Sequence, residues 1–272
     1  MKRDTLNNNQ HFVLPRVYWT GKTVLNMSEV ERYLRDTDQE EFLKDIEQAR
    51  AEGLSDGEIL CSLYAKLCYK SLVVGKNDNI TRVRGIADNI ESTIESLHGS
   101  VFEHCTLNFV VTDCSRIFTH EQVRHRVGTA YSQTSGRYVR SDELDIVVDP
   151  ILAPIYNEVE EVRQYIESWY NRSVDKLGLD QMKNFDAKKK MTSALRRLMP
   201  NGQANEIGES FNLRSTRHMI ELRTSGGAEW EMRLVYGQIF DLINASYPAI
   251  FADAEIKTVN ELREITFKNR KI

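Results

Sequence analysis

The 272-residue sequence has no run near the roughly 18 apolar residues that a membrane-crossing helix needs. Its first residues, MKRDTLNNNQHFVLPRVYW, lack the apolar core of a secretory signal, so the expected compartment is the cytoplasm. The four cysteines, Cys61, Cys68, Cys105 and Cys114, form no C-x-x-C pair, and the histidines form no H-x-x-x-H or H-E-x-x-H. That excludes the usual zinc patterns; no metal is expected, and the cysteines read as buried free thiols. There is no excess of positive charge either: Lys plus Arg is 36 against Asp plus Glu 40, net -4. A general polyanion binder is usually basic, so any anion site must be local. G-x-G-x-x-G after a strand is missing, as are repeats and low-complexity tracts. The Gly21-Lys22-Thr23 triplet is no phosphate loop, because Arg16 stands where its first glycine belongs.

What remains is the composition of an ordinary globular protein, 41% hydrophobic and 28% charged. The fold class expected is α+β: a central, mostly antiparallel sheet packed with several helices in a single domain. Residues 103–113 alternate well, with Cys105, Leu107, Phe109 and Val111 on one face, and predict a half-buried strand. Residues 15–23 read as a short strand and turn. Helices are expected over 28–52 with Ser28 as N-cap, over 55–71 on Ile59, Leu63 and Leu67, and over 90–97. A short helix capped by Ser115 should follow over 115–126. Further helices are expected at 157–177, with Val159, Val162, Ile166 and Trp169 on one stripe, and at 188–200, 212–223 and 228–248. Residues 258–265 read as a short last helix.

One stretch departs from the acidic background. VRHRVGTAYSQTSGRYVR, residues 123–140, holds four arginines, a histidine, two serines and two glycines. Arginine is the planar donor that suits phosphates and carbonyl-rich rings, and a Gly/Ser loop leaves backbone N–H groups free to assist. More arginines follow at 196, 197, 214, 217 and 223. Arg197 and Arg217 read as parts of solvated faces. From the residues alone, the expectation is a site for one or more phosphorylated ligands.

Three blocks carry a resemblance. RHRVGTAYSQTSGRY (124–138) resembles the signature of the flavin-dependent thymidylate synthases, R-H-R followed by seven residues and a serine. HGSVFEHCTLNFVV (98–111) and NLRSTRHMIELRTSGGAEWEMR (212–233) resemble two further blocks of that family, in the same order. Pro200 and Arg196 before it also fit. The resemblance covers roughly 65–250; residues up to about 57 carry little of it, and the whole chain, 1–272, is expected to be one catalytic domain.

The family converts dUMP to dTMP, using FAD, NADPH as reductant and methylenetetrahydrofolate as carbon donor, and works as a homotetramer with shared active sites. The resemblance therefore implies a soluble enzyme with no nucleic-acid partner and a locally basic cleft for anionic ligands. It places Ser100, Glu103, Arg124, His125, Arg126, Asn212, Arg214 and His218 against FAD. His218 stands where an amide is usual. It places Glu121, Gln122, Arg124, Gln133, Thr134, Ser135, Gly136, Arg137 and Arg196 about dUMP. Arg223 would face the uracil and stabilise charge developing on the ring, as a fixed donor does. Arg223 and Ser135 are the catalytic candidates. The reduced flavin would supply hydride, so no protein nucleophile is needed.

Two departures matter. The position due to be serine is Thr134, and the serine of the SGRY block is Ser135, one residue later. Either a residue is inserted within VGTA, the simpler account, or Thr134 holds the serine's place. Glu121 stands where the family has glutamine, and a carboxylate there repels phosphate unless paired or turned away. Two other readings stay open. A single-stranded nucleic-acid binder would use the arginine loop with Tyr131 and Tyr138. An inactive flavin-binding relative would be insensitive to Arg223→Ala.

Overall fold

A computed structural model describes residues 3–269. In chain order the elements begin with β1 (Arg16–Lys22), α1 (Met27–Asp36), α2 (Phe42–Ala51), α3 (Asp56–Cys68) and α4 (Ile86–Glu95). Next come β2 (Thr106–Ser115), α5 (Arg116–Gln122) and β3 (Thr129–Gln133). Then follow α6 (Tyr156–Lys176), α7 (Phe185–Leu195), β4 (Ala204–Asn212), α8 (Leu213–Thr224) and α9 (Trp230–Ile243). The last two are β5 (Ala254–Val259) and β6 (Leu262–Phe267). The class is α+β, as expected. One sheet has the order β1-β2-β4-β3; the other is the pair β5-β6. Opposed bonds mark β3 and β4 as antiparallel: Thr134 N donates to Glu206 O and Asn212 N donates to Gly128 O.

The chain forms two compact units. One contains residues up to 18, 110–126 and 131–209; the other contains 19–109, 127–130 and 210 onward.

In the first unit, Phe12, Leu144, Ile146 and Val148 make a buried cluster, with Val159 and Ile166 of α6 packed against it. Tyr170, Val174, Leu179 and Leu195 make a second, against which Trp169 packs. Val162 does not join this stripe and is exposed. Arg163 is the inward residue instead: its guanidinium bonds Glu160, Glu167 and Leu144 O. Its long stem fills apolar space while the head keeps its partners.

In the second unit, α3 starts with a capping box. Ser55 Oγ accepts from Glu58 N at 3.2 Å and Glu58 Oε2 accepts from Ser55 N at 2.8 Å. The other Glu58 oxygen accepts from Ala249 N and Ile250 N, so one buried carboxylate fixes two distant segments. Ile59 and Leu63 are buried as expected, but Leu67 is exposed.

Several expectations change. The stretch 28–52 is two helices, because α1 closes in a Schellman motif: Asp38 takes φ +52, Asp38 N donates to Arg35 O and Gln39 N to Leu34 O. Ser28 does not cap α1; the helix begins at Met27, and Ser28 Oγ donates to Asn26 Oδ1. Residues 258–265 are no helix. Asn260 and Glu261 both have positive φ, 51° and 63°, so Val259 and Leu262 close a two-residue hairpin turn between β5 and β6. Arg217 is not on a solvated face. It is 2% exposed, pairs with Asp253 at 2.8 Å and lies 4.1 Å over the Phe267 ring, tying α8 to the hairpin.

Candidate active site

The second unit holds Ser100, Glu103, Asn212, Arg214, His218 and Arg223. Ser100 and Glu103 sit on a six-residue 3-10 segment, Gly99–His104, that leads into β2. Arg214 Nη1 donates to Glu103 Oε1 at 2.6 Å, and both side chains are about two-fifths exposed. An ion pair this open adds little stability; its use is to hold the guanidinium in one place. Asn212 is the N-cap of α8, with Oδ1 accepting from Ser215 N at 2.8 Å. Two bonds fasten the chain just after the R-H-R triplet to this cap. Ser215 Oγ donates to Val127 O at 2.6 Å, and Asn212 N donates to Gly128 O at 2.9 Å. Gly128 has φ +66, and a Cβ there would lie 2.0 Å from Asn212 Nδ2. No other residue fits. His218 is exposed one turn beyond Arg214, and Arg223 is half-buried in the last turn of α8.

Beside Ser100 and Arg214 opens a cavity of about 810 Å³. Its lining includes Lys66, Arg82, Arg84 and Arg214 and not one aspartate or glutamate. In a chain with 40 acidic residues, that is an anion-attracting surface. Lys66 is tied into the structure: it is buried, donates to Arg84 O, lies 3.6 Å from Asp45 and 4.9 Å over the Phe42 ring. Burial pushes its pKa down, against the pull of Asp45. Arg82 has no ion-pair partner among the described residues.

The first unit holds Glu121, Gln122, Arg124, His125, Arg126, Gln133, Thr134, Ser135, Gly136, Arg137 and Arg196. Ser115 caps α5 as expected, accepting from Phe118 N at 3.0 Å. The R-H-R triplet follows that helix. Glu121 is half-buried. Gln122 is fully buried and donates to Glu209 Oε2 at 2.9 Å. Burial pushes the Glu209 carboxyl up to about 8, partly offset by the Gln122 bond; Oε1 accepts no hydrogen bond from the described residues. Gln133 Nε2 donates to Thr119 Oγ1 at 2.8 Å, holding the end of β3 to α5.

The register now has a geometry. Thr134 still belongs to the ladder through its N–H to Glu206 O. Ser135 begins the turn: its carbonyl accepts from Tyr138 N and Val139 N, both at 3.0 Å. Gly136 packs between two arginines; a Cβ there would lie 3.5 Å from Arg116 Nη2 and 3.6 Å from Arg196 Cδ. Arg124, Arg126, Arg137 and Arg196 have no ion-pair partner among the described residues, whereas Arg140 pairs with Asp142 at 2.8 Å and with Asp180. The sequence singled out neither Arg116 nor Arg82. Both lie outside the family-like blocks, and their neighbours come from distant segments.

Residues 51–249 match the family described as thymidylate synthase complementing protein. The chain belongs to this family. Proteins named flavin-dependent thymidylate synthase from Mycobacterium tuberculosis and Mycobacterium marinum are each 30% identical to it, over 215 and 219 residues. Each match covers 77% of this chain and 84% of the relative. The relative of that name from Corynebacterium glutamicum is 30% identical over 209 residues, 74% of this chain and 81% of its own. The family match takes in α3 through α9 and every residue placed above, from Ser100 to Arg223; the β5-β6 hairpin lies beyond it.

Proposed function

We propose that this protein is a flavin-dependent thymidylate synthase that methylates dUMP reductively to dTMP, with methylenetetrahydrofolate as carbon donor and NADPH as reductant. The observation that carries the reading is the set of cations left without ion-pair partners among the described residues at or near the family's blocks, Arg124, Arg126, Arg137 and Arg196 of the first unit; the second unit separately holds a cavity whose lining has no acid. Each substrate and cofactor is an anion, and unpaired guanidinium groups are what such ligands need.

FAD suits the donors present. The cavity beside Ser100 offers hydroxyls and guanidinium groups without a repelling carboxylate, which fits a pyrophosphate. Ser100, Glu103, Arg124, His125, Arg126, Asn212, Arg214 and His218 would hold the cofactor; Glu103 fixes Arg214 and Asn212 fixes the backbone after the triplet. When bound, the flavin supplies the hydride. The protein's own work is binding and polarisation. Gln133, Thr134, Ser135, Gly136, Arg137 and Arg196 would wrap the nucleotide, with Glu121 and Arg124 nearby. Gln122 would serve from inside, by holding α5 to β4. Arg223 would lie over the uracil and stabilise negative charge on its carbonyl oxygens as the ring accepts hydride. Ser135 would contact the nucleotide; a nucleophilic serine would need an adjacent base. The assembly is a homotetramer in the cytoplasm, with sites drawn from several subunits.

The test is direct. Purified protein should be yellow or take up FAD, should oxidise NADPH in response to dUMP, and should form dTMP when methylenetetrahydrofolate is added. Arg223→Ala should lower kcat by at least tenfold. A protein that binds no FAD and forms no dTMP overturns the reading.

A further inference from the structure

Arg223 sits in the last turn of α8, where a helix is least held, because its final carbonyls have no partner within the helix. The usual left-handed closure is missing: Ser225 leaves α8 at φ -58 and ψ 148. Side chains close the end instead. Ser225 Oγ donates to Leu222 O at 2.9 Å, and Arg233 Nε donates to Thr224 O at 3.3 Å. Thr224, the chain neighbour of Arg223, is fully buried. Its hydroxyl donates to Ile220 O at 2.8 Å and accepts from Ile265 N of β6 at 2.9 Å. Arg233 is 5% exposed and has no ion-pair partner among the described residues. A buried guanidinium without a carboxylate needs other acceptors. Besides Thr224 O, Arg233 Nη2 donates to Val259 O at 2.7 Å and to Leu262 O at 3.4 Å, the two carbonyls that flank the Asn260-Glu261 turn. The end of α8 is thus bonded to the β5-β6 hairpin directly at Thr224 and again through Arg233. All of these residues belong to the second unit, and the hairpin lies beyond the residues that match the family.

We infer that Thr224 and Arg233 are positioning residues for Arg223, and that the β5-β6 hairpin is the support they work against. This rests on the reading of Arg223 as the group that stabilises charge on the uracil. A donor stabilises a developing charge best when it is fixed before the charge appears. Arg223 has a long side chain at a helix end, so its reach depends on where its own backbone is held. The hydroxyl and the carbonyl of Thr224 fix the next residue from two sides, and the last turn cannot fray while both bonds stand. A segment outside the family-like blocks therefore sets the aim of a residue inside them.

Steady-state kinetics of the full-length protein loaded with FAD test this. Thr224→Val keeps the branched shape and removes the hydroxyl. It should lower kcat about tenfold, as misplacement of a reacting group does, with KM for dUMP and FAD content unchanged. Thr224→Ser should return kcat to near the parent value. Arg233→Lys keeps the charge but cannot span Thr224 O and the hairpin turn, and should follow Thr224→Val. A charge-specific readout separates positioning from general loosening. In mildly alkaline buffer 5-fluoro-dUMP, whose ring gives up its N3 proton more readily, should bind the parent more tightly than dUMP does; Thr224→Val and Arg223→Ala should both shrink that preference. Hydrogen exchange in the unmutated protein does not depend on how the variants fold: dUMP should slow exchange in the last turn of α8 and in β6 together. Parental kcat in Thr224→Val or Arg233→Lys, a loss that Thr224→Ser does not recover, an undiminished preference for the fluorinated nucleotide in Thr224→Val, or β6 exchange indifferent to dUMP overturns the inference. In each of these cases a tenfold loss in Arg223→Ala leaves the reading of Arg223 standing. Parental kcat in Arg223→Ala overturns both.

Discussion

Glu209 shows how a single side chain couples this protein to pH. Its carboxyl is buried against Gln122 and pushed up to about 8, while in the unfolded chain it titrates near 4.5. Below that lower value both states hold the proton and the group is neutral in stability. Between the two values the unfolded state loses its proton first, so stability falls as pH rises, and it levels off once the folded carboxyl also ionises. Glu209→Gln keeps the shape and the Gln122 contact and removes the titration. Its melting temperature relative to the parent should therefore climb steadily between pH 5 and pH 8. The corresponding stability gap should reach several kcal/mol, at about 1.4 kcal/mol per pKa unit. Parallel thermal melts across that range check it; a constant gap would show that Glu209 is ionised throughout. The same residue explains what the sequence hid. Along β4 the inward positions are Asn205, Ile207, Glu209 and Phe211. Two of the four are polar, so a strand with strict alternation does not read as one. Arg217 misled for the converse reason: its partners Asp253 and Phe267 lie far along the chain.

At the scale of elements, local chemistry was legible in part. The Ser115 cap and the alternation of β2 stand in the sequence as they stand in the structure, whereas the Ser55 capping box went unread. The hairpin β5-β6 was not legible, since Asn260-Glu261 lacks the glycine that usually marks such a turn. Of the candidate site, the blocks could be read but not the scaffold beneath them. The joint between Gly128 and the α8 cap is an example. Gly128→Ala must bear positive φ, at about 1 kcal/mol. It must also drive Asn212 off its cap, at about 1 kcal/mol more. Asn212→Ala removes the same cap directly. The two changes should thus be sub-additive in a double-mutant cycle, and both should weaken FAD retention on dialysis. Strict additivity in denaturant melts would separate the two residues.

For the molecule as a whole, the net charge of -4 conceals an uneven allocation. Carboxylates are matched to arginines where the pairing fixes structure, as at Arg163 and Arg217, and are absent from the lining of the larger cavity. The cysteines are sorted in a similar way. Cys61, Cys105 and Cys114 are buried; burial raises the Cys61 thiol far above its ordinary value and the Cys105 thiol to about 11. Cys68 alone is exposed, and it lines the same cavity as Ser100 and Arg214. The protein thus carries its own attachment point for a probe. A maleimide dye should couple to the native chain once, at Cys68, without any engineered thiol. Saturation with FAD should slow that coupling several-fold, and a dye already in place should hinder FAD uptake. Intact-mass measurement counts the adducts; more than one, or a rate indifferent to FAD, would put the flavin elsewhere. A residue with no evident part in the chemistry would then serve as a built-in optical gauge of whether the enzyme is loaded.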